Sequence, residues 1–461
     1  MLITEKIVFG VISLDKANTE ELCKKIYEMA YEIYGDKLPP FISERIEWEI
    51  RSIKNYDFGD IYLKSLSLVE ASEDKGYLTQ SRGCTAGLLI NFLLGITEIN
   101  PLPPHYVCLD CGYTELHTEA LCGADLPDKH CEECVKLMHK DGFNIPAEIC
   151  LGFDNTKVPC FCFGVAPEVE ENVRAIVNKP SDIRNDKESS LPHTEYLEFI
   201  SDKELSLLKK LENLTNVKAA EIPLDDKTTL ELFSAKNTCG VPEFYTPFVK
   251  NIMTKTGVNS FDDLVRILGF SHGTDVWNNN AEKLLDNTNI PLSDVISCRD
   301  DVMIYLMKKG FNSSEAFRIS EKIRKGKGLS KEEYEEMLNN DIPQWYAESC
   351  NKVKYSFPRA HCVSLAMLSF RIAYYKAHYP LDFYRAYFCI NVKDFDAMML
   401  TANTKVLSQK VYELKSQINE IEKEYEYPLW EEECNKRCAE LFDKIYLMET
   451  CLEMKENGYK L

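Results

Sequence analysis

Apolar residues recur at three- and four-residue spacing from about residue 16 to 75, with Leu22, Ile26, Met29, Ala30 and Ile33 on one stripe, which predicts a helix. The Gly and Pro residues of 35–40 interrupt it, and further helical runs follow over 42–53 and 61–71, joined through Asp57, Phe58, Gly59 and Asp60. A charged, glycine-containing loop spans 72–76. Small residues fill 81–87, and the apolar run 88–95 predicts a helix that starts on that loop and stops before Pro101, Pro103 and Pro104. Periodicity then vanishes: residues 105–150 are rich in Cys, Asp, Gly and His, as in a small module held by something other than an apolar core. Residues 158–165 read as a short buried strand, 178–194 as an exposed polar linker, and 203–214 and 228–233 as helices ahead of a mostly helical region to about 389. In the tail, Val406, Val411, Leu414, Ile418 and Ile421 form one stripe. After Pro428, Cys434, Leu441, Ile445, Met448 and Leu452 form a second.

Composition narrows the class. The 461 residues are 45% hydrophobic and 28% charged, in the range of a packed globular chain of two or three domains. No apolar run approaches the length of about 18 residues that crosses a membrane, and residues 1–15 lack the apolar stretch of a secretion signal, so a cytoplasmic protein without membrane contact is expected. The 54 Lys and Arg against 74 Asp and Glu give a charge of −20, which opposes diffuse attraction to nucleic acid and confines any such binding to a local basic patch. Without a secretion signal, the 18 cysteines argue for metal ligation and buried thiols over a disulfide framework.

Four of them carry the strongest motif in the chain. Cys108 and Cys111, then Cys131 and Cys134, form two C-x-x-C pairs separated by 19 residues. Each pair can present two thiolates from one tight turn, and two such turns close a tetrahedral Zn2+ site at about 2.3 Å per Zn–S bond. Cys122, His117 and His130 lie between the pairs and could replace one ligand. A closed four-thiolate site leaves no position for water, so its role is structural.

Several ordered blocks resemble a known family. They include Asp74-Lys75-Gly76-Tyr77-Leu78, Ser81-Arg82-Gly83, the run from Thr97 through Asn100-Pro101-Leu102-Pro103-Pro104-His105 to Cys108, and Asp125-Leu126-Pro127-Asp128-Lys129. Further on come Gly240-Val241-Pro242-Glu243-Phe244, Ser271-His272-Gly273-Thr274-Asp275-Val276-Trp277, Cys298-Arg299-Asp300-Asp301, Arg324-Lys325-Gly326-Lys327-Gly328-Leu329 and Phe357-Pro358-Arg359-Ala360-His361. The chain from about residue 30 onward resembles the palm and fingers of PolC-type DNA polymerase III alpha subunits. The resemblance implies an α+β fold: a nucleotidyltransferase-like palm with an inserted zinc knuckle, followed by a mainly helical fingers domain. The boundaries read 1–104 for the N-terminal part of the palm, 105–150 for the knuckle, 151–215 for the residual palm core with a shortened linker, 216–400 for the fingers and 401–461 for a helical extension.

The family carries two aspartates separated by one residue on a palm strand and a third carboxylate on a neighbouring strand, which hold two Mg2+ ions. Here the first strand reads Pro159-Cys160-Phe161-Cys162-Phe163, and the third position falls on Glu198. Alternate residues of a strand share a face, so Cys160 and Cys162 keep the geometry of the aspartates and lose their chemistry, because Mg2+ takes oxygen ligands and thiolates select softer ions. The resemblance therefore implies Mg2+ for the family and makes it doubtful in this chain. Asp154, Asp182, Asp186 and Glu195 are the remaining acids that could compensate. The plainer expectation for the two cysteines is a pair of buried thiols opposite Phe161 and Phe163.

For ligands, the resemblance implies deoxynucleotides and primer-template DNA, with replisome proteins as partners. Ser81, Arg82 and Gly83 correspond to a loop beside the incoming triphosphate, expected here at a helix N-terminus. Ser271, His272, Arg299, Arg324, Lys325, Lys327, Arg359 and His361 supply the fingers-side candidates. Against them, Glu321, Glu332, Glu333 and Glu335 surround the basic run, as on a solvated helix face. Three functions compete: a palm-and-fingers chain impaired in catalysis that still binds nucleotide, DNA or a replisome protein; an active or split polymerase completed in trans; and a protein-interaction module or decaying fragment without DNA contact.

Overall fold

The computed structural model describes residues 19–56, 59–154, 157, 159–177, 196–287, 290–391, 400–424 and 431–460. The linker at 178–194, the acids Asp182, Asp186 and Glu195, residues 1–15 and the side chain of Cys434 lie outside the described residues. The fold is α+β and mostly helical, with two three-stranded sheets among the described residues. Among the described residues no helix is long and apolar enough to cross a membrane.

The N-terminal helices span Thr19–Tyr34, Pro40–Tyr56 and Gly59–Glu73. The stripe Leu22, Ile26, Met29, Ala30 and Ile33 is buried in the main core, as its spacing requires. The first sheet has the order β1-β5-β6, with β1 at Gln80–Arg82, β5 at Cys160–Val165 and β6 at Tyr196–Ser201. Central β5 runs antiparallel to β1 and parallel to β6. Its Phe161, Phe163 and Val165 are fully buried, which fixes the register, since a slip of one residue would drive them into solvent.

The second sheet is the cysteine-rich module, with β2 at His105–Val107 in the centre between β3 at Thr114–Leu116 and β4 at His139–Asp141. Beyond residue 202 the chain is helical. The Arg359–His378 helix is buried on nearly every side, its charged Arg359 and Lys376 included, and packs on both β1 and the Phe261–His272 helix. It joins the sheet to the C-terminal half.

The tail forms a helical hairpin, Thr404–Glu424 against Glu431–Glu456. Val411, Leu414 and Ile418 are buried as their stripe predicts. Val406 is not: it is exposed, and Leu407 takes the buried place in that first turn. A buried ion pair of Lys376 with Glu453 ties the hairpin to the central helix.

Candidate functional site

Strand register builds the site. Arg82 on β1, Cys162 on β5 and Glu198 on β6 stand directly opposite one another, so their side chains form one row across the same face of the sheet. Cys160, two residues before Cys162, opens the next row on that face. The opposite face is the packed one, with Ser81, Phe163 and Phe199 in a row. Cys160 is exposed and Cys162 half-buried, so the expectation of two buried thiols is corrected: the register that buries Phe161 and Phe163 turns both sulfurs to the open face. Desolvation, with Cys84 and Glu198 nearby, pushes the Cys160 thiol up to about 12, which keeps it protonated at neutral pH.

Two further expectations are corrected here. Ser81, Arg82 and Gly83 do not sit at a helix N-terminus. Ser81 and Arg82 are strand residues, Gly83 begins a 3-10 turn over Gly83–Gly87, and the helix that follows is only Leu89–Leu93. Its first amides already have an anion: the buried Glu49 carboxylate accepts from Leu89 N–H at 3.0 Å and Ile90 N–H at 2.9 Å, and is paired with Arg45. The Ser81 hydroxyl faces inward to Thr97 Oγ1 at 2.6 Å. Arg82 stays on the open face and pairs with Asp202 at 2.7 Å.

Arg359 is the second correction. Its guanidinium is buried, ion-paired with Asp262, and donates to Phe143 O at 2.8 Å and Leu121 O at 3.0 Å. Burial alone would raise Asp262, but Arg359 and Arg266 beside it hold its carboxyl below the usual range. This side chain fastens the cysteine module to the helical half and is not placed to meet a phosphate.

The remaining candidates gather at the turn. His361 lies in the first turn of the central helix, where its Nδ1 accepts from Gly83 N–H at 3.4 Å and its ring stacks on Phe357. His272, 6.1 Å away ring to ring, donates its Nδ1–H to Leu268 O of its own helix at 2.9 Å and has the Ser271 hydroxyl 3.1 Å from the same nitrogen. Burial, with His272 and Arg82 near, lowers His361 to about 4, so its imidazole is neutral at pH 7. Arg299, largely buried, points Nη2 at the Cys84 sulfur at 3.8 Å. Arg324 clamps Glu321 with two contacts of 2.8 Å, and Lys325 and Arg299 lie 3.6 and 3.9 Å from the same carboxylate. Against its burial, Arg324 first, then Lys157 and Arg299, pull Glu321 down to about 2. Lys327 is exposed.

Sequence reasoning missed Thr85 and Cys84. The Thr85 hydroxyl exchanges hydrogen bonds with the backbone N–H and C=O of Cys162, locking the turn onto β5. Cys84 directly follows the Ser-Arg-Gly block, the one signal that could have drawn notice to it. Beside the row, a cavity of about 440 Å3 is lined by Arg82, Asp202, Lys203, Glu204, Glu243 and Tyr245. Burial pushes Glu204 there up to about 7.

The cysteine module is a separate centre. Cys108 follows β2, and its carbonyl accepts from Gly112 N–H at 2.8 Å; the Cys131 carbonyl accepts from Val135 N–H at 2.9 Å. The two turns are alike, each closed by a residue at positive φ, 75° at Gly112 and 64° at Val135. They bring the four sulfurs within 4.8 Å of one another, the one group of three or more ligand-type side chains so disposed among the described residues. Cys108 lies 3.3 Å from Cys134 and Cys111 3.6 Å from Cys131. Four sulfurs at these separations could hold a metal ion such as zinc. The palm row does not suit Mg2+: it offers two sulfurs and one carboxylate, Asp202 is engaged by Arg82, and Asp154 is exposed in a turn.

A family profile for the bacterial DNA polymerase III alpha NTPase domain matches residues 20–181, and one for the bacterial DNA polymerase III alpha subunit finger domain matches residues 200–343. The cysteine-rich module, strands β1 and β5, and the helices from residue 203 to 343 thus fall within regions that resemble bacterial DNA polymerase III alpha subunits. Proteins named DNA polymerase III PolC-type resemble it along most of its length. That of Caldanaerobacter subterraneus subsp. tengcongensis is 33% identical over 87% of this chain and 36% of that protein. That of Thermotoga petrophila is 34% identical over 87% and 37%, and that of Bacillus subtilis 34% identical over 82% and 33%. The chain belongs to the PolC-type DNA polymerase III family, and it spans about a third of the length of these relatives. The first alignment runs over 504 positions, more than the 461 residues of the chain, so the relative holds residues with no counterpart here.

Proposed function

We propose that this chain is a PolC-type palm-and-fingers unit that keeps a nucleotidyltransferase-like scaffold, no longer performs two-metal nucleotidyl transfer, and acts by binding deoxynucleotide, primer-template DNA or a replisome protein. The observation that carries this reading is the row Arg82, Cys162 and Glu198, with Cys160 beside it. Two-metal transfer needs oxygen ligands that clamp two ions about 3.5–4 Å apart, and one carboxylate with two cysteine sulfurs does not supply them.

The polar side of the site supports retained binding. Arg82, Gly83 and His361 meet at one turn, the cavity next to them is of a size that accepts a nucleotide, and Arg324 and Lys325 on Glu321, with exposed Lys327 two residues further along, form a basic stretch on an otherwise acidic chain. The knuckle of Cys108, Cys111, Cys131 and Cys134 carries one structural Zn2+ in this reading. The protein works in the cytoplasm, where such substrates occur.

Extension of a labelled primer by the purified chain, with four deoxynucleotides and Mg2+ or Mn2+, tests the reading beside a Cys160→Asp/Cys162→Asp version. No extension by the unaltered chain, with salt-dependent binding of primer-template, is the expected outcome. Extension by the unaltered chain would overturn it in favour of a polymerase whose metal ligands lie elsewhere or come from a partner, and absence of all DNA and nucleotide binding would favour a pure protein-interaction role.

A further inference from the structure

A second thiol chemistry sits above the palm row and belongs to neither metal question. Cys84 is half-buried in the Gly83–Gly87 turn, and Cys150 is buried at 1% exposure in the short Glu148–Leu151 helix. The Cys150 thiol donates to the Cys84 carbonyl oxygen at 3.7 Å, which sets the two cysteines side by side. Room for it is made by Gly87, where a Cβ would come within 2.6 Å of the Cys150 sulfur. On the other side, Arg299 Nη2 stands 3.8 Å from Cys84 Sγ.

We propose that Cys84 is a reactive thiolate and Cys150 its resolving thiol, forming a site for modification by peroxides and soft electrophiles. A thiolate is stabilised by hydrogen-bond donors and cations, and Cys84 has one thiol donor, one guanidinium and the ammonium of Lys157 nearby. The groups facing it are Cys150 from the Glu148–Leu151 helix, Arg299 from the Arg299–Lys308 helix, with Glu321 3.9 Å beyond that arginine, and Lys157 and Cys160 at the start of β5. The neighbouring Cys150 thiol, then Arg299 and Lys157, outweigh desolvation and lower Cys84 to about 6, whereas Cys150 is raised. One thiol is thus shifted toward its thiolate while its neighbour is shifted toward the protonated form.

With hydrogen peroxide as oxidant, the Cys84 thiolate attacks the O–O bond, an S–O bond forms, and hydroxide leaves. The Cys150 sulfur then attacks the Cys84 sulfenic sulfur: the S–S bond forms, the S–O bond breaks, and the departing oxygen leaves as water with the Cys150 proton. The two sulfurs lose two electrons and the peroxide is reduced to one water and one hydroxide, which takes up from solvent the proton that Cys84 released on ionising. The bond would tie the turn that carries Gly83 and Thr85 to the helix beside it.

Peptide mapping of the full chain after brief exposure to iodoacetamide under native conditions, from pH 5 to 9, tests the first half. Cys84 is expected to react at least tenfold faster than Cys160 at pH 7, and Lys157→Gln, at an exposed position, to slow it and move its pH midpoint upward. After stoichiometric hydrogen peroxide, a Cys84–Cys150 linked peptide is expected, replaced in Cys150→Ala by a dimedone adduct on Cys84. Equal alkylation of Cys84 and Cys160, or oxidation that links Cys84 to Cys160 or Cys162 in place of Cys150, would overturn the proposal.

Discussion

The knuckle and the palm strand each present cysteines close together in sequence, and only one of them gathers sulfurs. In the knuckle, Cys108 with Cys111 and Cys131 with Cys134 curl on matching turns that converge to within 4.8 Å. On β5, Cys160 and Cys162 are held apart by the pleat, one residue pitch of two along an extended strand, and their neighbours in the row are an arginine and a glutamate. Residue type is therefore not what makes a metal centre here. A turn folds two side chains toward one point; a strand lines them up side by side, which does not suit short thiols reaching for one ion.

Replacing a knuckle sulfur should break the contrast most strongly. Cys131→Ser is expected to cost one bound zinc per chain and, because metal-binding energy in such modules is folding energy, on the order of 5 kcal/mol or more of stability. The loss would spread, since Arg359 and Asp125 bind the module to the helical half: Asp125 caps the Phe261–His272 helix through the amides of Phe261 and Asp262. Metal analysis and urea unfolding read both effects. Cys162→Ser, measured in the same way, should leave the zinc content unchanged.

A smaller effect sharpens the palm side. His361 is held neutral, with its folded pKa near 4 below the unfolded value of about 6.5. The unfolded chain therefore takes up a proton first as pH falls, and stability is lost between about pH 6.5 and 4, while above that window the group contributes no pH dependence. His361→Gln should remove about 2 kcal/mol of the difference between unfolding at pH 7 and pH 5, with the buried His105, also lowered by desolvation, supplying a part that remains. An unchanged pH profile in the variant would mean that the Gly83 turn does not hold this ring.

Much of this was legible along the chain, for identifiable reasons. Helices with long apolar stripes, such as the one carrying Leu22 to Ile33, declare themselves because their burial is one-sided. The knuckle is legible because turn and ligand spacing are local, and the alignment of Glu198 with Cys162 follows from the resemblance. Arg359 was not legible: a buried guanidinium and a phosphate-binding one read alike until Asp262, nearly a hundred residues earlier in the chain, is seen beside it. The Leu89–Leu93 helix start was misread as an open anion site for the same reason, since Glu49 fills it from a different helix. Partners brought together by the tertiary fold leave no trace in local pattern.

The finest distinction lies within the knuckle itself, between its two otherwise matching turns. Gly112 adopts its positive φ without cost, and it has to be glycine, since a Cβ there would meet the backbone of Gly35 at 2.7 Å. Val135 holds φ 64° with a β-branched side chain that is 75% exposed and so gains little from burial in return. The left-handed region costs such a residue roughly 1–2 kcal/mol, a part of which glycine gives back as backbone entropy in the unfolded chain. Val135→Gly should therefore raise stability by about 1 kcal/mol with zinc content unchanged, read as a higher urea midpoint at equal slope. A lowered midpoint would mean that the exposed valine is held by contacts that repay its strain, and the two turns would then differ in kind as well as in residue.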